Sequence, residues 1–156
     1  MALVNNMNRD VYESCKKFLK KYPFTVAWRV KQHSSIIQKH LNEDEVVLYT
    51  FTGQKNTNVF SPFFTTVFVF TNKRMLLGRK KYLGRYEYYS ITPDMLNDFE
   101  IKTGVFYGNV EIDTIKEHFT ITCLDKRSLT DIEDALSKYL VNEKLKLLKN
   151  KTQETN

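Results

Sequence analysis

The chain of 156 residues is poor in the residues that mark several special classes of protein. It has only 5 Gly, 3 Pro and 2 Cys, too few for a collagen-like chain, a flexible linker or a disulfide-stapled scaffold. Cys15 and Cys123 stand alone without a CxxC spacing, which favours two free thiols in a reducing compartment. The length and the 42% of hydrophobic residues are typical of one globular domain with its own core.

Long apolar runs are also missing. The most hydrophobic stretch, residues 60–70 (FSPFFTTVFVF), contains Ser61 and Pro62 and is far shorter than the roughly 20 residues that a membrane-spanning helix needs. The first residues, MALVNNMNRDVYESC, lack the apolar core of a secretion signal and carry Asp10 and Glu13. We therefore expect a cytoplasmic protein.

Catalytic and metal-binding motifs are absent as well. The chain has no GxSxG, P-loop or GxGxxG pattern. Its three histidines, His33, His40 and His118, have no cysteine or carboxylate at ligand spacing. The carboxylates between residues 94 and 113 alternate with apolar residues, which favours the solvent face of strands over a paired-carboxylate site. The sequence predicts no enzyme, no cofactor and no metal.

Helical periodicity occurs at both ends of the chain. Apolar residues three or four apart predict a helix over 9–22, capped by Asn8 or Asp10 and stopped by Pro23. A weaker helix is predicted over 34–41, with Ser34 as its cap. A long helix is predicted over 129–148, beginning with a capping box of Thr130 and Glu133. The polar tail 150–156 is predicted to be frayed.

Between the helices the pattern changes to short strands. Runs of β-branched and aromatic residues predict strands over 46–52, 63–71, 75–78 and 85–91, with a polar loop over 53–58. Alternation of apolar and charged residues predicts three more strands, over 98–102, 108–115 and 117–124, each with one buried face. Curling such a sheet and covering its open end with a helix protects the strand edges.

The order of elements and one hairpin resemble a known family. Residues 67–77, VFVFTNKRMLL, are similar to the strand–Thr-Asn-Lys-Arg–strand hairpin of bacterial pleckstrin-homology (PH) like proteins, and residues 88–110 resemble the segment that follows this hairpin in the YokE-like branch. The resemblance covers about residues 43–140. It implies a mainly β fold with α: a PH-like barrel of about seven antiparallel strands capped by a C-terminal helix, without a catalytic site. The predicted organisation is an N-terminal helical extension (1–42), a PH-like domain (43–149) and a flexible tail (150–156).

Positive charge is concentrated in two segments. The net charge is +6. Residues 1–42 have eight basic residues against Asp10 and Glu13, and residues 73–85 have six basic residues and no acidic one. In PH domains that bind phosphoinositides, basic residues around the first loops hold the headgroup, and arginine and lysine suit phosphate oxygens. The resemblance therefore makes these six residues a candidate anion site: Lys73, Arg74, Arg79, Lys80, Lys81 and Arg85.

Several partners are open to such a module. We expect contacts with another protein, including self-association through an exposed sheet edge. The alternatives are binding of anionic lipid headgroups by the 73–85 segment, or a hairpin whose charges only keep the sheet solvated. The helix over 9–22 could lie on an anionic membrane, but its short apolar stripe favours packing on the barrel or on another subunit. Nucleic acid is less favoured, because the strand with Tyr86, Tyr88 and Tyr89 leads into an acidic region.

Overall fold

The computed structural model describes residues 9–56 and 63–155. Two helices come first, α1 (Val11–Lys21) and α2 (Val30–His40), and α3 (Leu129–Glu154) comes last. Between them lie seven strands: β1 (Val47–Lys55), β2 (Thr65–Thr71), β3 (Met75–Lys80), β4 (Tyr86–Ile91), β5 (Leu96–Thr103), β6 (Tyr107–Thr114) and β7 (His118–Asp125). Short 3-10 turns occur at Tyr82–Gly84, Pro93–Met95 and Lys126–Ser128.

The strands form one antiparallel sheet in the order β4-β3-β2-β1-β7-β6-β5. β1 and β7 pair only at Gln54–Thr122 and Lys55–Ile121, so the sheet divides at this seam into two halves, β1–β4 and β5–β7. The halves enclose an apolar core that includes Phe51, Phe68, Met75, Leu77, Ile112, Phe119 and Ile121. This curled seven-stranded sheet with a C-terminal helix confirms the predicted PH-like fold.

The N-terminal helices cover the outer face of the β1–β4 half. Val11, Cys15 and Ile37 pack there against outward-facing residues of β2 and β3, namely Val67, Val69 and Leu76. β2 is buried along its whole length, because the barrel core covers one face and the helices cover the other. This double burial explains why the apolar residues of β2 run on without alternation.

Helix α1 and the segment after it also fill the seam between the two halves. Phe18 packs on Tyr49 and Phe51 of β1, and the Tyr22 hydroxyl donates a hydrogen bond to a residue of α3, Asp131. Farther on, the backbone N–H of Val26 donates to a β7 carbonyl, that of Cys123, at 2.9 Å. The N-terminal extension is therefore packed onto the barrel wall.

The structure corrects some predicted boundaries of the middle elements. Helix α2 begins at Val30, and Ser34 lies inside it with its hydroxyl donating to the Lys31 carbonyl rather than capping. Residues 53–55 continue β1 instead of forming a loop, because Gly53 packs closely against inward-facing residues of the seam such as Ile121. Residues 57 and 58 of the predicted loop lie outside the described residues.

The helix ends also differ in part from the predictions. Asp10 caps α1 by accepting a hydrogen bond from the Glu13 N–H, whereas the other predicted cap, Asn8, lies outside the described residues. The predicted capping box of α3 is wrong, since the helix already includes Leu129 and Thr130, and Ser128 precedes it without a side-chain cap bond. Helix α3 also continues to Glu154, beyond the predicted end at 148.

Candidate binding site

The six basic residues of the predicted anion site lie at two opposite ends of strand β3. Lys73 and Arg74 are in the turn between β2 and β3, whereas the other four belong to the β3–β4 hairpin: Arg79, Lys80, Lys81 and Arg85. A strand of six residues such as β3 spans about 20 Å. The two groups therefore cannot hold one headgroup together.

Arg74 is the centre of a buried hydrogen-bond network. Its guanidinium donates to the Glu45 carboxylate at 2.6 and 3.0 Å, to the His40 carbonyl at 2.9 Å and to the Ser90 hydroxyl at 2.9 Å. Glu45 is fully buried. Burial acts to raise its pKa, but the guanidinium and the Asn42 N–H outweigh it, so the pKa of Glu45 lies below its ordinary value. Arg74 thus joins α2, the segment before β1, and β4 as a structural residue.

At the other end of β3, inward-pointing residues form a charged layer across the mouth of the barrel. Glu87 lies opposite Arg79 in the β3–β4 ladder. Its carboxylate is 2.5 Å from Arg79 Nε, 3.0 Å from Lys81 Nζ and 3.7 Å from Lys55 Nζ. Burial acts to raise the pKa of Glu87, but these cations outweigh it and lower the pKa. The Glu87 carboxylate therefore lies among three cations, in the position that an anionic ligand would occupy.

Lys55 is a buried lysine that was not among the predicted site residues. It is 3% exposed, and its ammonium lies 4.7 Å from the ring centroid of Tyr89 and 4.9 Å from that of Phe119. Burial lowers the pKa of Lys55, and the carboxylates of Glu87 and Glu117 offset this only in part. Among the described side chains, the charged layer leaves no cavity that could hold a ligand.

Beyond the charged layer, the β3–β4 hairpin ends in an exposed apolar surface. Tyr82 and Leu83 are 64% and 79% exposed. Phe63, just before β2, packs edge-on against Tyr82 with the ring centroids 5.8 Å apart, and Phe64 lies over the Arg79 guanidinium at 5.5 Å. We call residues 79–85, together with Phe63 and Phe64, the hairpin tip.

One residue of this tip and one residue beside it have a backbone conformation that L-amino acids disfavour. Leu83 has φ 58° and Arg29, whose guanidinium lies 5.4 Å from the Phe63 ring centroid, has φ 52°. A left-handed conformation of this kind costs about 1–2 kcal/mol for a residue other than glycine. Leu83 thus combines an unfavourable backbone with an exposed apolar side chain. Such local costs tend to collect at binding sites.

Only part of the predicted anion site has free charge. Four of the six residues already bind a carboxylate, in pairs with Asp44, Glu45 and Glu87: Lys73, Arg74, Arg79 and Lys81. Lys80 and Arg85 have no ion pair within the described part of the chain. These two residues and the apolar tip are what the hairpin can offer to an anionic surface.

Two of the three histidines, His33 and His40, serve the packing of the domain. His33 is buried and its Nδ1 accepts the Lys80 N–H at 2.8 Å, and His40 stacks on Tyr88 with centroids 3.9 Å apart. In residues 9–56 and 63–155, no three His, Cys, Asp or Glu side chains are grouped to hold a metal ion. None of the helices described is both long and apolar enough to cross a membrane.

Comparison with known proteins identifies the family. Residues 41–138, more than half of the chain, match the family described as "Bacterial PH domain". The chain belongs to this family. The match does not distinguish a narrower branch, so the YokE-like resemblance stays a prediction. No curated protein sequence matches the chain.

Two solved structures are similar to this bacterial PH domain. One is a pleckstrin homology domain from Shewanella amazonensis SB2B, with 19% identity and a TM-score of 0.49 over 69% of this chain and 95% of that one. The other is a DUF1696-family protein with a pleckstrin-homology domain from Shewanella loihica PV-4, with 16% identity and a TM-score of 0.46 over 69% and 92%. The family match leaves out α1, α2 and the last sixteen residues of α3.

Proposed function

We propose that this bacterial PH domain is a non-enzymatic binding module of the cytoplasm that acts through contacts with protein, self-association among them. The family supports a binding module. The observation that supports the finer proposal is at the end of α3, where three large apolar side chains on one face of the helix are between 50% and 60% exposed: Val141, Leu145 and Leu148. Exposed apolar side chains that lie together are typical of a surface that another molecule covers.

A second exposed region supports the same proposal. β5 is the last strand of the sheet, and its outer edge has no strand beside it among the described residues. At its end, Val105 and Phe106 are each 79% exposed in the turn before β6. An open strand edge beside exposed apolar residues is a common place for a second chain to bind.

Sedimentation velocity over a range of concentrations tests self-association. We expect the mass of the wild-type chain to rise above that of a monomer, and Leu145→Ser with Leu148→Ser to return it to a monomer. Leu83→Ser is the matched control, because Leu83 is also an exposed leucine but lies on the hairpin tip and not on α3. A wild-type chain that stays monomeric at the highest concentration contradicts self-association.

A specific observation favours a second candidate function, binding to anionic lipid through the hairpin tip. Lys80 and Arg85 supply free positive charge beside the exposed Tyr82 and Leu83. Basic residues around an apolar tip suit the interface of an anionic membrane, where the apolar groups insert and the cations bind headgroups. Glu87 already binds the cations behind the tip. We therefore expect the tip to bind at the membrane surface and not to enclose a single headgroup.

Co-sedimentation with vesicles tests the second candidate. We expect binding to vesicles that contain anionic lipid, little binding to neutral vesicles, and a loss of binding when salt screens the charges. Lys80→Glu with Arg85→Glu should abolish it. Lys17→Glu with Lys20→Glu reverses the same charge on α1 and should leave it unchanged. No binding at low salt contradicts this candidate, and a loss only in the α1 variant would assign the membrane contact to α1.

A further inference from the structure

The distal part of α3 presents an apolar stripe that faces away from its own barrel. Val141, Leu145 and Leu148 follow Ile132, Leu136 and Tyr139, respectively, by nine positions, which is about two and a half helical turns. Ile132 and Leu136 are fully buried in the barrel core, so the three later residues lie on the opposite side of the helix. They are 54%, 50% and 60% exposed.

Lysines flank this stripe on both sides. At 3.6 residues per turn, Lys144 and Lys151 follow one side of it and Lys138 and Lys149 the other. None of the four has an ion pair among the residues that the structure describes. Two such helices side by side would place lysine against lysine, which is unfavourable. The stripe therefore suits an acidic surface and not a second copy of itself.

The outer face of the β5–β6 hairpin is an acidic surface of this kind. In the antiparallel register Asp98 lies opposite Asp113, and Glu100 lies opposite Glu111. Like charges directly opposite each other destabilise a sheet. The described basic groups near these four carboxylates are Lys102, 2.8 Å from Glu111 and 3.6 Å from Glu100, and His118, 3.8 Å from Glu111 and from Asp113. A set of lysines laid across this face would relieve the repulsion.

We infer that the lysine-flanked stripe of α3 docks on the acidic β5–β6 face of a second copy of this chain. The inference rests on the proposed self-association and names its contact. The two surfaces have opposite charge and belong to the same chain, so a pair of chains can bind reciprocally, each giving its helix to the other. Val105 and Phe106 at the end of the hairpin add an exposed apolar component. The stripe faces away from its own barrel, so the partner face comes from another molecule.

A charge-exchange experiment tests this contact on the full chain. The helix variant has Lys144→Glu and Lys149→Glu, one on each side of the stripe. The sheet variant has Glu100→Lys and Asp113→Lys, which places opposite charges across the strands and so preserves the fold. We expect each variant alone to dimerise about tenfold or more weakly than the wild type, because like charges then meet across the contact. An equal mixture of the two variants should form a heterodimer, since both of its helix–sheet contacts are again complementary.

The outcomes separate this inference from the function on which it rests. A wild-type dimer that both variants leave unchanged overturns the named contact and leaves self-association standing. A wild-type chain that is monomeric at every concentration overturns self-association and the contact with it. Two variants that are both weakened but fail to pair in the mixture also overturn the contact. Lys17→Glu with Lys20→Glu is the control for the net charge of the helix variant and should dimerise as the wild type does.

Discussion

The two ends of strand β3 carry the same kind of ion pair in different settings. At one end, Arg74 binds a fully buried Glu45, and its donors also bind backbone and hydroxyl oxygens of α2 and β4. At the other end, Arg79 binds Glu87 below an exposed tip that includes Leu83 in a left-handed conformation. An arginine in a basic motif thus tells little about ligand binding by itself. The surroundings decide whether it supports the fold or borders a surface.

The largest expected effect on stability comes from removing the buried ion pair between Arg74 and Glu45. Arg74→Met should lower the free energy of unfolding by about 3–5 kcal/mol, because it leaves the Glu45 carboxylate buried without its cation. Arg79→Met should have a smaller effect, since Glu87 keeps Lys81 at 3.0 Å and Lys55 at 3.7 Å. Urea unfolding of the two variants measures the difference. An equal loss in both would contradict the distinction between the two ends.

The stability of Arg74→Met should depend on pH in a different way from that of the wild type. In the wild type the pKa of Glu45 is lowered, so its contribution to stability is present above the ordinary carboxyl pKa of about 4.3 and is lost as the pH falls through the folded-state value. In Arg74→Met, burial without the cation raises this pKa, so acid relieves the buried charge. The difference in stability between wild type and variant should therefore narrow as the pH falls from about 7 to about 4.

Urea unfolding at several pH values checks this, with Arg79→Met as the control. Its carboxylate, Glu87, retains two cations, so the difference in stability from the wild type should change less with pH. A difference for Arg74→Met that is constant over the same range would show that Glu45 does not cause it.

Local patterns in the sequence predicted the order of strands and helices but not the contacts that connect distant segments. Alternation indicated β5, β6 and the start of β7, because one face of each is solvated there, whereas residues 121–125 of β7 are all buried. The pairing of Arg74 with Glu45, 29 residues away, depends on how α2 and β4 pack together, and no local pattern contains it. The loop predicted over 53–58 hid Lys55, although the alternation of Phe51, Gly53 and Lys55 on one face of β1 was the available signal.

The contacts of the hairpin tip were partly predictable, because they follow from the register of a local hairpin. A hairpin whose turn is centred on Leu83 pairs Arg79 with Glu87, as the register has it. The counter-ion of Arg79 is therefore predictable from the hairpin register, although it lies in the partner strand and outside the segment 73–85, which has no acidic residue. Tyr82 and Leu83 fall between the strands predicted over 75–78 and 85–91, which agrees with their exposed position in the turn of the hairpin.

A smaller effect is expected from removing the internal counter-ion at the tip. Glu87→Gln should reduce the free energy of unfolding by about 1–3 kcal/mol, because buried cations lose their carboxylate. The same change frees Arg79 and Lys81 beside Lys80 and Arg85, so co-sedimentation with anionic vesicles should increase. Glu117→Gln is the matched control, since its carboxylate lies 3.9 Å from Lys55 and has no described ion pair with Arg79 or Lys81. If vesicle binding in Glu87→Gln stays at the wild-type level, the tip is not the lipid site.

The smallest change in stability is expected at Leu83, where the exposed tip and the unfavourable backbone coincide. Leu83→Gly removes a left-handed strain of about 1 kcal/mol, and the greater freedom of glycine in the unfolded chain offsets part of this gain. Stability in urea should therefore stay equal or rise slightly, while binding to anionic vesicles should fall with the loss of the apolar side chain. Leu48→Gly is the control, because Leu48 is 66% exposed but lies in β1, where glycine costs about 0.5–1 kcal/mol. Equal destabilisation by the two substitutions would mean that the backbone of Leu83 stores no strain, and the tip would then lose one of the two observations that mark it as a binding surface.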